Sequence, residues 1–155
     1  MNEELQNLKK EFEQRIKVLE EKSSEPDYGF EKGDDFWFIG GDGKPQASEW
    51  GDLPTFEKTL FSMGGVFKSG EEALFEIERR KVLHELRMMG RPFKRSEKNW
   101  RFQLDGRNDL EFEYDSFYRV PYVDCYFDTQ NEAKEAVAQI GESRIKKYLF
   151  GLEEH

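Results

Sequence analysis

The sequence predicts an α+β fold: an N-terminal helix followed by two βββα repeats, with an antiparallel sheet and the helices packed on one face. Three observations predict it. The pattern W-x-x-x-x-D-G opens at Trp37 and again at Trp100, and each copy is followed by F-x-[S/T]-x-x-E-A, at Phe67 to Ala73 and at Phe127 to Ala133. Residues 2–22 carry Leu5, Leu8, Phe12 and Leu19 at helical spacing. Aromatic residues make up 15% of the 155-residue chain, which argues for a packed core in which Phe, Tyr and Trp supply much of the buried area.

Residues 1–22 form the first expected unit, an amphipathic, coiled-coil-like helix. Arg15 breaks its apolar seam with Ile16 beside it, and pairs such as Glu13 with Lys17 decorate the remaining surface. A helix this short is weak alone in water, so it either packs on its own domain or pairs with the same helix of another chain. The second outcome makes Leu5, Leu8, Phe12 and Leu19 a self-association surface. Residues 23–34, opening with Ser23-Ser24-Glu25-Pro26, read as a linker.

The first βββα unit spans 35–90. Phe36 to Ile39 is a β-type run ended by Gly40-Gly41-Asp42-Gly43, a hairpin turn signal because glycine supplies positive φ cheaply. A second strand is expected near Gln46 to Trp50. A third is expected near Phe61 to Phe67, with Gly64-Gly65 as a bend or bulge. Ser69 then opens a long helix. Its hydroxyl should accept from the Glu72 amide while the Glu72 carboxylate reaches back to the Ser69 amide. Ala73, Leu74, Ile77, Leu83, Leu86 and Met89 should form its apolar side, with Gly90 and Pro92 as the stop.

Residues 91–99 read as a basic linker and 100–155 as the second βββα unit. There Trp100 to Leu104 and Leu110 to Tyr114 make a hairpin, Tyr122 to Phe127 a third strand, and Thr129 with Glu132 a second cap. Ala133, Val137 and Ile140 mark the helix face, and Gly141 interrupts it before Ser143 to Phe150. Each hairpin is too small to stand alone, so the two copies are expected to share one sheet or one core.

Composition excludes several classes. No apolar run approaches the ~20 residues that span a bilayer. The acidic start Met1-Asn2-Glu3-Glu4 lacks the apolar region of a secretory signal, and a single cysteine, Cys125, fits a reducing cytoplasm. Gly40-Gly41-Asp42-Gly43-Lys44 is followed by Pro45 and a strand, so it is a turn and not a phosphate loop. Two histidines and one cysteine give no zinc spacing, and Asp34, Asp35 and Asp42 do not follow a calcium loop, so no metal or cofactor is expected. Nothing places His84 beside Cys125, and no catalytic residue is singled out.

The net charge of −9 is unevenly spread. Residues 79–101 hold nine Lys or Arg against two Glu, and the segments on either side are acidic. Arg79, Arg80, Arg87, Arg91, Lys94, Arg95, Lys98 and Arg101, with Trp100 as a stacking platform, suit a partner protein or a nucleic-acid backbone. The plain alternative is a linker whose cations pair with the acidic halves. The order of elements also matches a double-stranded-RNA-binding domain, but Gly70, Glu71 and Glu72 stand where that route needs lysines. In Asp109, Glu111, Glu113 and Asp115, carboxylates alternate with Leu110, Phe112 and Tyr114 on an expected strand. Such a row fits a partner's basic groove by imitating a nucleic-acid backbone; its plain alternative is the wet side of a half-buried strand.

The charged first helix, W-F-I-G-G-D-G-K, G-G-V-F-K-S-G-E-E-A, K-V-L-H-E-L and the closing I-G-E-S-R-I-K-K-Y-L-F-G carry a resemblance along nearly the whole chain. The sequence resembles a family of small proteins encoded by phages and prophages of Gram-positive bacteria. The resemblance implies an accessory protein acting in the host cytoplasm and carries over no catalytic residue. The expected function is therefore non-enzymatic: interaction with a host or phage protein, with inhibition of a host defence or nucleic-acid-processing protein as one form. The alternative is a nucleic-acid-binding module using residues 79–101.

Overall fold

The computed structural model describes residues 2–23, 27–118 and 124–153. The order is α1 (Asn2–Ser23), β1 (Asp35–Ile39), β2 (Pro45–Glu49), α2 (Pro54–Ser62), α3 (Gly70–Met89), β3 (Asn99–Leu104), β4 (Leu110–Asp115), α4 (Gln130–Ile140) and α5 (Glu142–Phe150). The class is α+β with an N-terminal helix and antiparallel strands, as the sequence indicates. Of the two expected ways of joining the copies, a shared sheet is not formed, and the main core cluster holds no residue of β1 or β2. β1 pairs with β2 and β3 with β4, giving two separate two-stranded sheets.

The expected third strand of the first unit is also corrected. Residues 54–62 are helical, because Pro54 sits at the start of α2, where its missing N–H leaves no helical bond unmade. Gly64 takes a positive φ of 68° and closes the helix, with the Gly65 amide donating to the Leu60 carbonyl at 2.8 Å. The glycine pair is a helix stop and not a strand bulge. What remains of the third strand is one residue pair: Trp37 and Phe67 exchange both backbone hydrogen bonds, at 2.9 and 2.8 Å. In the second half Trp100 and Phe127 do the same, both at 2.9 Å, beside a bridge between Arg91 and Tyr126. Residues 122 and 123 of the expected strand lie outside the described residues.

Both helix caps form, with one change of partner. The Ser69 and Thr129 hydroxyls accept from the amides of Glu72 and Glu132, each at 3.1 Å. The glutamate carboxylates reach one residue further than expected, to the amides of Lys68 at 3.1 Å and Asp128 at 3.2 Å. The Ser69 backbone is extended, which turns the residue before it towards the first helical turn. The two hairpin turns share one five-residue geometry, but the Asp-Gly dipeptides occupy different places in it. In the first hairpin the Gly40 amide bonds to the Lys44 carbonyl and Gly43 carries the positive φ. In the second the Asp105 amide bonds to the Asp109 carbonyl and Asn108 takes that conformation, two residues beyond the Gly106 that the motif match selects.

The body has two packed regions, and α3 contacts β1 and β2 as well as α4 and α5. The larger core joins Val82, Leu86, Cys125, Phe127, Ala133, Ala136, Val137, Ile140 and Ile145, with Trp100, Phe102, Leu110 and Phe112 packed against it. α3 buries Ala73, Ile77, Val82 and Leu86, whereas Leu74 and Met89, expected on its apolar side, are exposed. The smaller region is aromatic. Trp50 stacks on Phe30 with ring centroids 5.2 Å apart, meets Phe36 edge-on at 5.4 Å and lies 5.5 Å from Tyr28. Tyr28 and Phe30 fall inside the stretch expected as a linker, so its second half belongs to the packed body. Buried Glu57 ties this region together by accepting from the Gly51 amide at 2.8 Å and the Leu53 amide at 3.3 Å.

Candidate interaction surfaces

The acidic strand is the first candidate. β4 runs antiparallel to β3 with Gln103 opposite Glu111, Arg101 opposite Glu113 and Asn99 opposite Asp115. The pleat therefore puts Glu111, Glu113 and Asp115 on one face, with Asp109 in the turn just before the strand, and Trp100, Phe102, Leu110 and Phe112 line the face towards the core. The carboxylates are nonetheless engaged. Gln103 Nε2 donates to Glu111 at 2.6 Å, Arg101 Nη2 lies 3.5 Å from Glu113, and Lys146 Nζ lies 3.7 Å from Asp109. Asp115 turns back to accept from the Phe117 and Tyr118 amides, both at 3.0 Å. Those two amide bonds hold its carboxyl below the usual range. The row exists as a face, with part of its charge answered from β3 and α5.

The basic stretch divides between helix surface and structure. Glu76 accepts from Arg79 through both of its oxygens, at 2.7 and 2.8 Å, and from Arg80 at 2.9 Å. The Arg79 hydrogen bonds hold the Glu76 carboxyl below its ordinary value against the opposing effect of burial. Arg91 is a structural bolt: its guanidinium pairs with Asp128 and donates to Asn99 Oδ1 at 2.7 Å, the Pro92 carbonyl at 2.9 Å and the Lys98 carbonyl at 3.0 Å. Fully buried Asn99 completes this corner by accepting from the Lys94 amide at 2.8 Å and donating to the carbonyls of Lys94, Glu97 and Asp115. Its role is invisible in the sequence because its four partner residues combine the 91–97 connection with Asp115 at the end of the facing strand. Lys94 lies 4.0 Å from Glu97. Lys98 Nζ sits 4.9 Å above the Tyr114 ring, which packs against half-buried Trp100. Arg87 and Arg95 project from exposed positions. The stretch thus gathers Lys98, Trp100 and Arg101 near one end of the second hairpin and leaves Arg79 and Arg80 on α3.

The helix α1 is the third candidate. It is 22 residues long, and its apolar side chains are exposed: Leu5 70%, Leu8 55%, Phe12 60%, Ile16 50% and Leu19 65%. The spacing 5, 8, 12, 16, 19 keeps all five within about 80° of the helix circumference at 100° per residue. Ile16 belongs to the stripe, and Arg15 flanks it instead of breaking it.

Cys125 is buried, and its thiol donates to the Leu86 carbonyl at 3.1 Å. Burial pushes its pKa up to about 11, so the thiol stays protonated and poorly nucleophilic. Among the described residues no group of three or more His, Cys, Asp or Glu is placed to hold a metal ion, and no helix is long and apolar enough to cross a membrane. Compared with known proteins, the chain matches no family model, no curated protein and no solved structure.

Proposed function

We propose that the protein is a non-enzymatic interaction protein that docks through α1, an accessory protein of the phage and prophage kind acting on a host or phage protein in the host cytoplasm. The observation that carries this reading is the α1 stripe, five large apolar side chains in line and each at least half exposed. A monomer gains nothing from holding such a stripe in water, whereas a partner helix or groove covers it at i, i+3, i+4 and i+7 spacing. The acidic face of β4 supplies a second contact, and imitation of a nucleic-acid backbone there is the form the reading takes if the target is a defence or nucleic-acid-processing protein.

The test is capture from phage-infected Gram-positive cells with the full chain and its Phe12→Glu variant as baits, with and without nuclease. A protein retained by the first, lost with the second and indifferent to nuclease is the expected result. One observation favours a second reading, nucleic-acid binding: Lys98 covers Tyr114 beside Trp100, and Phe117 and Tyr118 are exposed nearby in sequence. Retained material that disappears with nuclease and is unaffected by Phe12→Glu selects that reading instead.

A further inference from the structure

We propose that the partner of the α1 stripe is α1 of a second copy of this chain, lying antiparallel about a two-fold axis that passes beside Phe12. The inference rests on the reading of α1 as the docking element and adds what covers it: the stripe is closed by self-pairing, and it is the resulting dimer that meets the host or phage protein, so Phe12→Glu removes both. The stripe is palindromic. From Leu5 through Leu8, Phe12 and Ile16 to Leu19 the steps are 3, 4, 4 and 3, so reversing the helix about Phe12 superposes the stripe on itself. An antiparallel copy sets Leu5 against Leu19, Leu8 against Ile16, and Phe12 against Phe12, with no apolar side chain of the stripe left unmatched.

The flanks are complementary on balance as well: each sets two opposite-charge pairs against one central Glu–Glu approach, of Glu13 on one side and Glu11 on the other. At 100° per residue, Lys9 and Glu13 border one side of the stripe and Glu11 and Arg15 the other. In an antiparallel pair each flank faces the same flank of the second copy. Lys9 then comes within about two residues, or ~3 Å along the axis, of Glu13 of the second copy, and Arg15 meets Glu11 of the second copy with the same offset. Within one helix Arg15 already lies 3.8 Å from Glu11, with both side chains largely exposed, so the flank charges are free to turn across the interface. Residues 1–22 hold five Lys or Arg against six Glu, so two copies approach without strong net repulsion despite the −9 of the whole chain. A parallel pair also meets opposite charges at its flanks. The antiparallel pair is favoured because its helix dipoles oppose, each N-terminus lying beside the other's C-terminus.

The test uses the full chain. Sedimentation equilibrium across a wide concentration range should show exchange between 18.4 kDa and twice that mass. Phe12→Glu should weaken the dimer by at least ~10-fold, since it sets two carboxylates against each other in an apolar seam. Fluorescence of Trp37, Trp50 and Trp100, all outside α1, confirms that this variant keeps its fold. Orientation is read by mixing Leu5→Cys and Leu19→Cys chains under mild oxidation; buried Cys125 does not compete. The expected product is the mixed disulfide. A monomer at every concentration, a dimer indifferent to Phe12→Glu, or a dominant disulfide between two Leu5→Cys chains overturns the proposal. A monomer whose captured protein is still lost on Phe12→Glu substitution overturns self-pairing and leaves the docking role of α1 standing. Equal capture by both baits removes that role too.

Discussion

Replacing Trp50 with alanine is expected to lower the unfolding free energy by about 3–5 kcal/mol, the usual cost of removing a large buried ring. Trp50 is 8% exposed and meets Tyr28, Phe30 and Phe36, so it is the common neighbour of rings from the stretch before β1 and from β1 itself. Its backbone ties the same segments, donating to the Asp34 carbonyl at 2.7 Å and accepting from the Gly33 amide at 2.8 Å. Those bonds survive truncation, so the loss is one of packing. Trp50→Phe keeps a ring in the gap and should cost less than half as much. Urea unfolding of the three proteins checks this, and an alanine variant within about 1 kcal/mol of the parent would show that the cluster is not a core.

Gly90→Ala is expected to cost about 2–4 kcal/mol, a large figure for one added methyl group. Conformation is not the reason, because Gly90 has φ −100°, which any residue adopts. The reason is space. A Cβ at Gly90 would overlap Cys125 Sγ and lie 2.9 Å from the Tyr126 carbonyl oxygen and 3.3 Å from that of Leu86. The next residue cannot yield, because Arg91 and Tyr126 exchange backbone hydrogen bonds at 2.7 and 2.8 Å. Cys125→Ala in the same chain removes the worst overlap and leaves the carbonyl contacts, so the double variant should recover part of the loss. A double-mutant cycle measures that coupling, expected at roughly 1 kcal/mol or more in favour of the pair. Strict additivity would mean that the two segments are not pressed together there.

What the sequence made legible was local. Ser69 with Glu72, Thr129 with Glu132, Gly90 and Gly141 mark helix ends through bonds or breaks within a few residues, and all four sit at the ends the sequence indicates. Both hairpins were legible for the same reason. The helix α2 was not, because Leu53 before it offers no capping side chain, which left Pro54 as the one start signal. Tyr28 and Phe30 looked like linker because their partner, Trp50, is some twenty residues away and the charged residues around them mask the pattern.

The candidate surfaces follow the same division. Alternation placed Asp109, Glu111, Glu113 and Asp115 on one face, but only the β3–β4 register reveals Gln103 and Arg101 opposite them. The positive charge of residues 79–101 was plain, whereas the use of Arg91 as a bolt between Asn99 and Asp128 depends on tertiary contacts. The α1 stripe was legible almost whole, since a helix with exposed apolar residues obeys its own period. Ile16 joins the stripe because an α-helix turns once in 3.6 residues, which carries the seam past Arg15 to the next position.

In the proposed dimer α1 is held by its partner, whereas the body is held by its own two packed regions. Amide hydrogen exchange of the full chain at several protein concentrations tests it most directly, because an isolated helix of 22 residues protects its amides poorly. Protection in residues 2–23 should rise with concentration and collapse in Phe12→Glu, while α3, α4 and β3 exchange at unchanged rates. Protection of α1 that is independent of concentration and indifferent to that substitution would contradict it.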